Sequence, residues 1–130
     1  MLKPLESFAN VAYALLRIFA GFMFSFHGAQ KLFDLWTDHQ TEVGSQIWIG
    51  GIIELVGGLL VMVGVQTRLA AFLCSGTMAV AYVQFHWKFQ MDKNFFPAIN
   101  QGELAVLYAF VFLYIACRGG VMLSIDKKGT

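Results

Sequence analysis

Four apolar segments, at residues 11–33, 46–65, 69–88 and 102–122, take up most of a 130-residue chain, and no other feature limits its folding as much. Each is close to the roughly 20 residues that a helix needs to cross the hydrocarbon of a bilayer. Inside lipid the backbone has no water to bond, so it must satisfy its own N–H and C=O groups. Segments of this length without period-two alternation do so as helices rather than barrel strands. The expected fold class is all-α, an integral membrane four-helix transmembrane bundle folded as a single domain over residues 1–130. Composition agrees: 58% of residues are hydrophobic and 13% charged, and the mean hydropathy of +0.63 is too high for a soluble domain of this length.

Several function classes drop out early. The formal net charge is +1 with no basic tract, which gives no general attraction for nucleic acid. Cys74 and Cys117 lie inside apolar stretches and form no C-x-x-C, so neither a disulfide framework nor a thiol-exchange or zinc site is expected. There is no glycine-rich phosphate loop and no Glu-x-x-His pair for a di-iron bundle. His27 and His86 stand in separate spans, which is a weak haem signature, and no metal site is assigned. The first apolar stretch follows Lys3 as a signal peptide would. It is too long for one, contains Arg17 and lacks a small-x-small cleavage site, so it is expected to remain as the first span.

The connections carry helix signals. Thr67 is placed to cap the third span, Asn100 and Glu103 have capping-box spacing, and Pro97 is expected just upstream, outside the last helix. Trp36, Trp48 and Trp87 fall at span ends, as interfacial anchors do. Lys3, Arg68, Arg118, Lys127 and Lys128 lie on one side of the expected membrane, and Lys31, Lys88 and Lys93 on the other. That balance predicts both termini in the cytoplasm.

Ionisable residues at membrane depth are the candidates for chemistry, because an isolated charge in hydrocarbon is costly. In the first span Arg17, Gly21, Phe24, Gly28 and Lys31 follow one another at helical spacing and predict an inward face, with His27 at its flank. The second span sets Glu54 between the glycine pairs Gly50-Gly51 and Gly57-Gly58. Glycines one turn to either side let a neighbouring helix approach, and the carboxyl group must then be paired or protonated. Arg17, His27 and Lys31 are its expected partners, either in a structural salt bridge or at a functional site. Arg17 could instead reach back to the inner surface. His86 and Glu103 stand near the opposite surface with Tyr82, Gln84 and Tyr108, and a polar cavity opening outward is expected there.

The run RIFAGFMFSFHGAQKLF, then GGIIELVGGLLVMVGVQTRLAA, then NQGELAVLYAFVFLYIACRGG with Ser124 and Asp126 beyond it, resembles the DoxX family of small bacterial membrane proteins over nearly the whole chain. The resemblance rests most on His27-Gly28 with Lys31-Leu32-Phe33, Glu54-Leu55 with Gly57-Gly58, Thr67-Arg68, and Gly102-Glu103. It implies a four-helix inner-membrane protein labelled as an oxidoreductase and related to the quinone-reducing DoxD subunit of thiosulfate:quinone oxidoreductase. A family name supports a fold better than a reaction.

Three functions are compatible with these residues. In the first, a quinone enters between the helices, with His27, Glu54, Arg17 and Lys31 as catalytic residues and His86, Glu103, Gly57 and Gly58 holding the cofactor. Quinone reduction needs proton donors at membrane depth, which a histidine and a desolvated carboxyl group supply. Electrons would come from a soluble redox partner. In the second, the chain is a non-enzymatic scaffold or adaptor that recruits a soluble enzyme. In the third, it transports a small solute or protons. The glycine pairs could also serve a homo-oligomer.

Overall fold

The computed structural model describes residues 2–127, and among them every regular element is helical. A short α1 (Lys3–Ser7) leads through Phe8 into α2 (Ala9–Phe33), followed by α3 (Gln46–Val63) and α4 (Thr67–Ala81). Helix α4 continues without a break into a π-helical turn (Tyr82–Trp87), and a 3-10 turn (Lys93–Phe95), α5 (Pro97–Asn100) and α6 (Glu103–Arg118) complete the order. Three stretches, Ala9–Phe33, Gln46–Val63 and Thr67–Trp87, are long and apolar enough to cross a membrane. Large apolar side chains such as Phe19, Phe22, Phe72, Leu107 and Phe110 face outward, as a lipid solvent requires and water does not allow on this scale. The chain is an all-α membrane protein. The last helix is shorter than its apolar pattern predicts, with 16 residues. It stops at Arg118 because Gly119 takes a left-handed φ of 78° and turns the chain back across the end of the molecule.

The long helices pack as two antiparallel hairpins, α2 with α3 and α4 with α6. In the first, backbones meet directly: a Cβ on Gly21 would stand 2.6 Å from the Gly58 carbonyl oxygen, and one on Gly58 would stand 2.6 Å from the Ser25 nitrogen. Only glycine permits that approach. The hairpins join through an aromatic core in which Phe24 of α2 lies 5.2 Å from Tyr108 and 4.7 Å from Phe112 of α6, ring centre to ring centre. Val61, Cys74 and Ile115 complete it, fully buried.

The end of the molecule that holds the α3–α4 turn is closed by the C-terminal tail. A helix leaves its last carbonyls without intrahelical donors, and here all those of α3 find donors. Leu60 O accepts from Gly64 N and Val65 N, each at 2.9 Å, and Val63 O accepts from Ile125 N at 3.3 Å. The Arg17 guanidinium serves Val61 O at 2.6 Å and Met62 O at 2.8 Å, then reaches Met122 O at 3.0 Å and Leu123 O at 2.5 Å in the tail. Arg68 donates to the carbonyls of Ala116, Cys117 and Arg118 at the end of α6. Lys128, counted in the charge balance above, lies outside the described residues.

Two expected caps are corrected. Gln66, not Thr67, holds the cap position of α4, with a φ of 47°. The capping carboxylate comes from the tail: Asp126 accepts from Gln66 N at 2.9 Å, Thr67 N at 2.8 Å and Thr67 Oγ1 at 2.7 Å. Partial desolvation acts to raise the Asp126 pKa. The hydrogen bonds from Thr67 and Gln66, with the Arg17 charge behind them, outweigh it and hold the carboxyl below its ordinary value. The Asn100–Glu103 capping box does not form, because Gly102 caps α6 and Asn100 Oδ1 instead accepts from Gly102 N at 2.8 Å. Asn100 belongs to α5, which Pro97 begins, so the proline lies inside a short helix of its own. A cap also forms at Ser45, whose Oγ accepts from Trp48 N at 3.2 Å.

Candidate functional site

Away from the tail, a cavity of about 750 Å³ opens among the helices. Phe24, His27 and Lys31 line it from α2, Gly50, Ile53 and Glu54 from α3, Leu73, Gly76 and Met78 from α4, and Leu104 and Tyr108 from α6. His86 of the π-helical turn and Gln101 also line it. Its size and apolar lining with a few polar groups are those of a small-molecule site.

The polar groups are placed by the glycine-rich contact of α2 with α3. A Cβ on Gly51 would stand 2.9 Å from the Cβ of Lys31, so the bare backbone there lets the lysine stem lie across α3. Its ammonium then reaches Glu54 Oε1 at 2.5 Å. The partners differ in burial: the Glu54 side chain is 2% exposed and that of Lys31 34%. Glu54 Oε2 is buried with no hydrogen-bond partner among the described residues. A buried carboxylate oxygen without a donor is rare and costly, and it calls for an explanation at a specific site.

His27 sits on the cavity wall with its ring edge-on to Tyr108, 6.4 Å between centres. At the far end the π-helical turn holds His86 with Nδ1 3.2 Å from the Asn100 carbonyl oxygen and the ring stacked on Tyr82. Gln46 Nε2, at the start of α3, donates to Gln84 Oε1 of the same turn. Single π turns within helices recur at functional sites, where they re-aim side chains.

The expected site residues are therefore divided. His27, Lys31, Glu54 and His86 come together on one cavity. Arg17 does not. It is fully buried among backbone carbonyls at the tail end, and Lys31 takes the place at Glu54 for which Arg17 was a candidate. Glu103 is exposed in the first turn of α6 and does not line the cavity. Gly57 and Gly58 are packing residues: a Cβ on Gly57 would stand 2.6 Å from the Cys74 sulfur of α4, while Gly58 faces α2. Gly50, grouped with them by spacing, meets no neighbour within 4 Å and faces the cavity instead. Gly76 and Gln101 were not singled out from the sequence. A glycine in the middle of an apolar helix was the available signal for the first.

The DoxX family model matches residues 12–87. The chain is 38% identical over 131 residues to an uncharacterized protein of Haemophilus influenzae, an alignment covering 98% of this chain and 97% of that one. No solved structure gives a significant match.

Proposed function

The chain belongs to the DoxX family, and on that premise we propose that it is a bacterial inner-membrane protein whose cavity binds a quinone, serving as the membrane subunit of an oxidoreductase with a soluble redox partner. The observation that carries this reading is Glu54 Oε2, a buried acceptor without a donor on the wall of an apolar cavity. A ring hydroxyl of the reduced, quinol form would give that oxygen its missing hydrogen bond, and the apolar walls would receive the rest of the molecule.

When bound, the quinone would accept two electrons and two protons. The electrons come from a flavin or iron–sulfur partner protein. The chain's own residues handle protons and charge. Lys31, partly exposed, links Glu54 to the outer surface of the bundle, and Glu54 holds or releases a proton at Oε2 beside the ligand. His27 offers a second exchangeable proton from the neighbouring wall. Tyr108 and Phe24 present aromatic surface to a planar ring.

The end-to-end placement of α6 supports a fourth crossing. It begins beside Tyr82 and His86 and ends where Arg118 meets Asn10 at 2.8 Å and Gly119 O accepts from Tyr13 Oη at 2.6 Å. It therefore runs alongside α4 and leaves both ends of the described chain on one side. The Lys and Arg balance assigns that side to the cytoplasm.

The test is binding of a benzoquinol to the purified protein in lipid nanodiscs. Wild type is expected to bind, with Glu54→Gln about tenfold or more weaker, since a hydrogen bond to a charged acceptor is worth about 1.5–3 kcal/mol. A wild-type protein that binds no quinone or quinol would refute the reading and leave the scaffold function in its place.

A further inference from the structure

We infer that the cavity is entered sideways from the bilayer, through a slot between α3 and α4 flanked by Gly50 and Gly76, and that its ligand carries an alkyl or isoprenoid tail that remains in this slot. The head of that ligand rests on the quinone reading above, whereas the tail rests on the following observations alone.

Helices α3 and α4 touch at Gly57 and Cys74, next to the turn that joins them. Towards their far ends they are tied again by the Gln46–Gln84 hydrogen bond. Between these two ties the cavity is walled by Ile47 and Ile53 on one side and Leu73 and Val80 on the other, all apolar. A glycine in a helix interior costs about 1 kcal/mol relative to alanine. At Gly21, Gly51, Gly57 and Gly58 close packing of a neighbour offsets that cost. At Gly50 and Gly76 no packing neighbour among the described residues lies within 4 Å of the position a Cβ would take, yet both line the cavity. Packing therefore gives no reason for glycine at either place, and space does. A slim apolar chain passes such a gap, and it can trail into lipid while its polar end reaches Glu54 Oε2, the buried acceptor without a donor. A ligand without a tail would have no use for the slot and could enter past Lys31 and Gln101 from the aqueous end.

The experiment compares three probes on the full chain in nanodiscs: a decyl-tailed benzoquinol, the same quinol ring without a tail, and a photoactivatable dodecyl alcohol. Gly50→Leu and Gly76→Leu fill open space and are expected to keep wild-type thermal stability, which shows that they fold. Wild type should bind the tailed ring at least tenfold more tightly than the bare ring. Gly50→Leu and Gly76→Leu should each abolish that advantage. The alcohol should label Met78, which lines the cavity and is buried from the bilayer, in wild type but not in Gly76→Leu. Equal affinity for both rings in wild type, or a tail advantage that survives both substitutions, overturns the slot and leaves the quinone reading standing. Labelling of Met78 with no binding of either ring upholds the slot and refutes the quinone.

Discussion

Lys31→Met is the substitution whose effect the structure fixes best. The ion pair it breaks is unsymmetrical: Glu54 is 2% exposed and Lys31 34%. Without Lys31 the carboxylate loses its partner on Oε1, and Oε2 already has none among the described residues. A buried charge left alone costs about 3–5 kcal/mol. In the converse variant, Glu54→Gln, the freed ammonium swings outward from a position that is already one-third exposed. The loss should stay below about 1 kcal/mol, the range of exposed pairs. The double variant removes both charges and should recover much of the damage, giving a coupling energy of about 2 kcal/mol. Reversible unfolding in mixed detergent micelles, followed by helical circular dichroism, measures all four proteins. The reasoning fails if Lys31→Met lies within about 0.5 kcal/mol of wild type, or if Glu54→Gln is the more damaging change.

Four further outcomes are expected. Arg17→Met should cost about 3 kcal/mol or more, because four carbonyls lose a charged donor, and amide exchange at Ile125 and Asp126 should accelerate as the tail detaches; unchanged protection there would contradict this. Asp126→Asn should weaken the start of α4 by about 1 kcal/mol. Since the Asp126 carboxyl is held below its ordinary value, its contribution is complete above the unfolded pKa of about 3.9 and is lost as pH falls through the lower folded value. Exchange at the Gln66 and Thr67 amides should therefore rise in strong acid for wild type and show no such step in Asp126→Asn. Gly58→Leu should prevent α2 and α3 from pairing, because a Cβ there already meets the Gly21 carbonyl oxygen at 2.7 Å. Gly50→Ala should be neutral or stabilising by up to about 1 kcal/mol, with thermal unfolding as the measure of both.

Much of the candidate site is legible in the sequence because charge in lipid is restricted whatever the fold. Glu54 in an apolar, glycine-flanked helix had to find a partner, and Lys31 was among the few cations within reach of it. The choice of Lys31 over Arg17 was not legible. It depends on where α2 and α3 cross, and that is set by Gly21 against Gly58 and Gly51 beneath Lys31. Arg17 was bound to be satisfied somewhere, but its four carbonyls come from residues 61, 62, 122 and 123. The two pairs are brought together only by the turn at Gly119. The missed caps have the same cause, since Asp126 reaches the start of α4 across sixty residues of chain, beyond any local pattern.

By itself the sequence determined the solvent, the helical class and the set of side chains that cannot be left alone in lipid. Those follow from the length of the apolar runs and the free energy of transferring charge and backbone, which are properties of segments. Only the tertiary structure decided which glycines are contacts and which are gaps, which cation meets Glu54, and where the cavity lies. The α3 glycines Gly50, Gly51, Gly57 and Gly58 look alike along the chain, but each points in the direction that helix rotation sets. One faces the cavity, two face α2 and one faces α4. Rotation and crossing are fixed by packing between helices far apart in sequence, which no single segment encodes.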